Sequence, residues 1–224
     1  MRFRKPQLIP LLFIIIAFST LFSLGVWQVQ RLHWKSAMVE AVQKAQALPV
    51  LGTLPQDSSG LEYRKIMFTG VYLHDKAFHM VGRPHDSGPG FFIVTPFRLD
   101  DDGRVILVNR GYSPKDQESR PEGVQTVSGI IRPARTKRLL LPENAVDKNV
   151  WFYEDMDAMS QAAGVTLTPI VVEAVDVVQK GVYPQASDGV ISLRNDHLNY
   201  AITWFALAAI ALVMFGVYHY EGRK

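Results

Sequence analysis

PQLIPLLFIIIAFSTLFSLGVWQVQ, residues Pro6 to Gln30, runs for 25 positions without a charge. Near the other end LNYAITWFALAAIALVMFGVY, Leu198 to Tyr218, gives a second uncharged run of 21. A helix needs about 20 apolar residues to cross a bilayer, so both runs predict membrane spans. Between them lie 167 residues, Arg31 to His197, enough for one folded domain. The expected layout is a cytoplasmic N-terminus over 1–7, a transmembrane helix over 8–30, and an external domain over 31–197. A second span over 198–218 and a cytoplasmic C-terminus over 219–224 complete it. A single helix would anchor such a domain, so the pair itself is expected to have work to do.

The charge agrees with this layout. The pI of about 9.1 suggests a polyanion-binding protein at first. However, Arg2, Arg4, Lys5, Arg223 and Lys224 hold five of the 24 basic residues, and Glu221 is one of 21 acidic ones. The intervening segment then carries 19 basic and 20 acidic residues, which is no footprint for nucleic acid. Excess positive charge at both ends predicts that both termini are cytoplasmic. Ser23-Leu24-Gly25 loosely fits a signal cleavage site. The long apolar run and the lack of Ala-x-Ala near its end predict a retained anchor instead. There is no cysteine, which excludes disulfides, iron–sulfur clusters and thiolate metal sites.

Beyond the first span, Leu32 to Ala47 has helix-forming composition and is stopped by Pro49. Strand patterns follow at Tyr63–Phe68, Lys76–Val81, Phe91–Thr95, Arg104–Val108, Gln125–Ile131 and Val150–Tyr153, and a last long one at Pro169–Val178. Asp100-Asp101-Asp102-Gly103 is a hairpin turn. Asp155-Met156-Asp157 opens a short helix that Gly164 closes. The expected fold is a mainly antiparallel β domain, sheet or barrel-like, with one short covering helix, flanked by two transmembrane α-helices.

Catalytic constellations are missing from the domain. His74, His79 and His85 have no metal-binding spacing and read as surface histidines. Gly88-Pro89-Gly90 is no phosphate loop, and no Gly-x-Ser-x-Gly elbow occurs. An enzyme is not expected. Arg132, Arg135, Lys137 and Arg138 form a basic cluster before Leu139-Leu140-Leu141 and read as a solvated strand end. At the membrane, Trp27 and Trp204 suit the outer aromatic belt, and Tyr218 and Tyr220 the inner one. Gly25, Ser19, Ser23, Ala201, Ala208 and Ala211 would let two helices approach closely. His197 falls two turns before Trp204, at the membrane edge. By position alone an imidazole bonded to water or head groups is the simpler reading, with iron ligation the alternative.

Gly25-Val26-Trp27-Gln28-Val29-Gln30-Arg31-Leu32-His33-Trp34-Lys35 resembles a Gly-x-Trp-Gln-x-x-Arg-x-x-Trp-Lys signature. It is that of the surfeit-locus family of cytochrome c oxidase biogenesis factors. Gly70-Val71-Tyr72, His74-Asp75, Gly82-Arg83, Val108-Asn109-Arg110-Gly111-Tyr112-Ser113-Pro114, Gly129-Ile130-Ile131-Arg132-Pro133 and Asn195-Asp196-His197-Leu198-Asn199-Tyr200 follow in the family's order. The resemblance implies an assembly factor for haem–copper terminal oxidases in the bacterial inner membrane, with its domain periplasmic. It further implies haem a as transient cargo and His197 as the haem-linked residue. The large oxidase subunit would be the client. Haem a synthase and a second copy of the chain are further partners it allows.

On this reading His197 ligates iron, Trp204 and Phe205 flank the macrocycle with Trp27 nearby, and Arg31, Lys35 or Arg194 meets the carboxylates. Trp27 lies six residues from His33, and Trp204 seven from His197. If the tryptophans are level, both histidines stand about 9 and 10 Å beyond them, which would allow a bis-histidine site. Competing classes are a two-span scaffold or polysaccharide chain-length regulator, an external hydrolase and a copper chaperone. The first calls for long helices, the second for a nucleophile and base, the third for Cys or Met/His clusters.

Overall fold

The computed structural model describes residues 2–3, 7–82, 88–114, 117–175, 182–189 and 195–221. In chain order these form β1 (Arg2–Phe3), α1 (Leu8–Ala47), β2 (Lys65–Tyr72), β3 (Phe78–Met80), β4 (Gly90–Leu99) and β5 (Val105–Pro114). Then come β6 (Gln125–Arg132), β7 (Val150–Trp151), α2 (Met156–Ala163), β8 (Leu167–Ala174), α3 (His197–His219) and β9 (Tyr220–Glu221). The chain divides into two compact units, Met1–Ala41 with Ser192–Lys224, and Val42–Ile191.

The first unit is the helix pair of a membrane protein. α1 and α3 are both long and apolar enough to cross a bilayer. α1 has 40 residues and runs unbroken to Ala47, two short of Pro49, as its composition predicts. At 1.5 Å per residue it is about 60 Å long, roughly twice the hydrocarbon thickness, so much of it lies outside lipid. Ile14, Gly25 and Gln28 are buried, with Phe18, Leu21 and Leu32 half-buried. Their alternating steps of four and three make one seam, the spacing of a coiled-coil face. Ala201 and Ala208 are buried on α3. Phe22 and Phe205 meet edge to face, with ring centroids 5.4 Å apart. Ser19 and Ser23 are exposed, because the helical period turns them off the seam. Gly25 faces Phe205 closely, and Ala201 and Ala208 are buried small residues on α3. Beyond the helices, β1 and β9 pair antiparallel.

The second unit is a closed barrel. β2, β6, β8, β5 and β4 pair in that order, and β2 returns to β4. β4 carries a register shift between Phe92 and Val94 and shares its second edge between β3 and β2. Most pairings are antiparallel, but β5–β8 and β3–β7 are parallel. All five barrel strands contribute to one core cluster, including Ile66, Phe97, Ile106, Val127 and Val172. A second cluster packs Leu107 and Val171 against β3, Trp151 of β7, and Met159 of α2. β5 and β8 are thereby buried on both faces, which explains why Val105-Ile106-Leu107-Val108 shows no polar alternation. The long-helix architecture of a chain-length regulator is not the one observed.

Strand limits differ from expectation, most notably in β5, β7 and β8. β5 continues through Asn109-Arg110-Gly111 to Pro114 rather than stopping at Val108. The strand expected over Val150–Tyr153 is only Val150–Trp151. β8 starts at Leu167, and the expected end at Val178 lies outside the described residues. Gly111 has φ +104 within β5, and a Cβ there would collide with the Gln185 carbonyl. That carbonyl accepts the Tyr112 amide, so residues 182–189 lie against β5 only because Gly111 has no side chain. α2 forms as expected: Asp155 caps it by accepting from the Ala158 amide at 3.1 Å, and Gly164 ends it left-handed.

Candidate functional site

His197 is the first residue of α3. Its Nδ1 lies 2.7 Å from Oε1 of Gln28 on α1. An amide oxygen only accepts, so Nδ1 carries the proton and donates. The ring is then the tautomer whose Nε2 keeps its lone pair. Gln28 is buried, only 9% exposed. A buried amide without a bond is costly, so the pairing stabilises both side chains in place. Three residues down α1, a Cβ on Gly25 would come 2.6 Å from Cε1 of Phe205. The glycine therefore lets the aromatic ring lie on the helix backbone, less than one turn of α1 below the histidine bond.

Asn195 lies two residues before His197. Its Nδ2 donates to Oγ of Ser36 at 3.3 Å. Its Oδ1 is buried without a hydrogen-bond partner among the described residues.

The other expected site residues fall as follows. Trp204 and Phe205 are half-buried on the seam side of α3, and Trp27 is exposed. Arg31 is exposed and holds its guanidinium carbon 3.9 Å from the centre of the Trp34 ring. It is three residues from Gln28, a neighbouring position on the helix surface. Lys35 is half-buried, and Arg194 lies outside the described residues. His197 reaches Gln28, next to Trp27 in sequence, so the imidazole lies near the height of Trp27 rather than about 9 Å beyond it. His33 is exposed and sits five residues on from Gln28, about 140° round α1. The structure does not bring His33 and His197 together. Counting missed this because it took the aromatic belt as a ruler, whereas the seam pairing sets the register. Gln28 went unremarked beside the motif tryptophan; its place in the four-and-three seam was the available signal.

The barrel has a polar cluster of a different kind. Arg110 of β5 is buried. Its Nη1 donates to Oε1 of Glu118 at 2.8 Å, its Nη2 donates to the Ser119 carbonyl, and its carbon lies 5.0 Å from the Tyr72 ring. His74 donates from Nε2 to the Pro121 carbonyl at 2.9 Å and accepts from Arg110 at Nδ1, 3.4 Å away. Both its ring nitrogens are occupied. Burial pushes the Tyr72 phenol up to about 12, against the pull of Arg110. His74 sits in a short helical turn and His79 in β3, so they do not share a strand. His79 stacks on Phe91, with centroids 5.3 Å apart. His85 lies outside the described residues. Among the described residues no three His, Cys, Asp or Glu side chains converge as a metal site.

Comparison with known proteins gives the chain its place. Residues 15–209 match the SURF1 family. Surfeit locus protein 1 of Takifugu rubripes is 34% identical over 229 residues, covering 90% of this chain and 93% of its own. The SURF1-like protein of Rickettsia conorii is 32% identical, covering 92% and 89%. Surfeit locus protein 1 of Homo sapiens is 33% identical, covering 85% and 71%. Both the motif of α1 that holds Gln28 and the start of α3 that holds His197 fall inside the matched residues, and the chain belongs to the SURF1 family.

Proposed function

We propose that this chain is an assembly factor for a haem–copper terminal oxidase, and that its helix pair holds haem a on the way to the large oxidase subunit. The observation that carries the haem reading is the His197–Gln28 hydrogen bond. It presents an imidazole whose Nε2 has no partner among the described residues, the form that ligates iron, fixed by a bond to its other nitrogen. The donor set fits the cargo, and the half-buried Trp204 and Phe205 offer apolar surface beside it. The isoprenoid tail belongs in lipid, and the two carboxylates at head-group level, where Arg31 and Lys35 are the cations of α1. Both termini would be cytoplasmic, with the barrel on the outer face, as the terminal basic residues favour. The chain performs no covalent chemistry on this reading. It binds, shields and hands over a group made elsewhere.

The test is genetic and spectroscopic together. A strain lacking the gene should assemble oxidase with depleted haem at its catalytic centre, restored by the wild-type gene and not by His197→Ala. Full haem content in the deletion strain would refute the assembly role. Unchanged haem absorbance in purified His197→Ala would refute the ligand assignment alone.

A further inference from the structure

We propose that Gln28 is the positioning residue that sets how tightly His197 grips its cargo, and that its neutrality keeps the cargo releasable. This rests on the reading of His197 as an iron ligand. Between Ile14 and Leu32, Gln28 is the one polar side chain in a seam otherwise filled by Ile14, Phe18, Leu21, Gly25 and Leu32. A leucine there would pack more cheaply, because a buried amide loses its water. The bond to Nδ1, at 2.7 Å, is what the amide does in that place.

Three consequences follow from the choice of acceptor. The bond holds the ring in one tautomer, with its lone pair on Nε2. It also couples the two helices, since Gln28 belongs to α1 and His197 to α3. Lastly it limits the donor strength of the ring. A carboxylate accepting from Nδ1 draws the proton away and makes Nε2 a stronger ligand, as carboxylate–histidine–metal pairs do. An amide carries no charge and does so far less. A resident haem would favour the carboxylate; a haem that must leave favours the amide.

The experiment compares full-length wild type, Gln28→Leu, Gln28→Glu and His197→Ala in detergent, with haem a as the probe. Affinity is read by titration of the Soret band, release by transfer to excess apomyoglobin, and the redox midpoint by spectroelectrochemistry. Nitrogen NMR of the histidine-labelled, haem-free protein reads the tautomer directly. Gln28→Leu should weaken haem binding by about 10- to 100-fold, the usual effect of losing a partner one shell out from a metal. It should also mix the His197 tautomers. Gln28→Glu should keep the affinity or raise it, slow release by about tenfold, and lower the midpoint. Circular dichroism checks that each variant is folded, and Gln28→Glu remains informative if Gln28→Leu is not. If both variants match wild type in affinity, release and midpoint while His197→Ala loses haem, the proposal for Gln28 is overturned and the ligand stands. If His197→Ala also keeps its haem, the ligand reading itself falls.

Discussion

His74 in the barrel unit and His197 in the helix pair are both half-buried, both hydrogen-bonded, and built for opposite ends. His74 spends both nitrogens inside the protein, one on the Pro121 carbonyl and one on Arg110. No lone pair remains for a ligand. His197 spends one, on Gln28. The Arg110 cluster closes on itself beside an apolar core, although Thr95, Arg64 and Arg132 of the same unit each keep a buried polar atom without a partner among the described residues. The helix pair has a thin seam, and there the Nε2 of His197 and the Asn195 oxygen have no partner among the described residues. A haem iron would need the ring nitrogen that His197 keeps and His74 does not.

The largest test of that contrast is a cross-comparison of the two histidines. His197→Ala should abolish haem absorbance of the purified protein while leaving the thermal midpoint of the barrel within error. His74→Ala should do the reverse: haem binding intact, barrel destabilised by about 1–3 kcal/mol, since the Pro121 carbonyl and an Arg110 donor lose their partner. Near-ultraviolet circular dichroism follows the barrel through the buried Trp151. Loss of haem in His74→Ala with an intact fold would break the distinction.

Arg110→Ala sharpens it from the structural side. Arg110 and Glu118 are both largely buried, at 7% and 13% side-chain exposure. Removing the guanidinium leaves the carboxylate and the Ser119 carbonyl without it, and truncating one member of a buried pair costs about 3–5 kcal/mol. The expected readout is a large drop in denaturation midpoint, with haem affinity per folded molecule unchanged.

The helices and most strands were legible in the sequence because each is written in local chemistry. Pro49 and Gly164 mark ends, Asp155 marks a start, and the Asp100–Gly103 cluster marks a turn between two apolar runs. Barrel closure was less legible. It depends on β2 returning to β4 and on β8 lying parallel to β5, pairings between segments far apart in the chain. The continuation of β5 through Asn109-Arg110-Gly111 was hidden because those residues look like a turn. The positive φ of Gly111 in fact serves the Gln185 crossing. At the site, His197 could be singled out by residue type and place, but not its partner. The register of two facing helices is set by side chains such as Gly25 and Phe205, and only their contact fixes it.

Alkaline pH offers a graded test. The Tyr72 phenol is pushed from its usual 10 to about 12 by burial. A group whose pKa is raised on folding contributes its full stability below the unfolded value and loses it as pH climbs to the folded value. Barrel stability should therefore fall between pH 10 and 12, by on the order of 2 kcal/mol from this group. Tyr72→Phe has no proton to lose, so its deficit against wild type should shrink across that window. A parallel fall in both proteins would show that the phenol does not titrate late. Haem binding, which does not involve this ring, should report no difference between them at any pH where both are folded.

The smallest effect concerns how the two kinds of helix begin. α2 has only eight residues, and Asp155 satisfies one of its orphan amides. α3 opens with no side-chain cap bond at Asp196. A short helix on a soluble domain draws little from propagation, so its cap matters. A long apolar helix in lipid keeps its backbone bonded whatever its first residue does. Asp155→Ala should cost the barrel about 1 kcal/mol, and Asp155→Asn much less, because an amide oxygen still accepts from Ala158. Differential scanning in detergent would resolve the shift. Equal losses for Ala and Asn would mean that the charge at the start of α2 matters rather than the hydrogen bond, and helix-dipole attraction would then replace capping as the reason that Asp155 begins this helix.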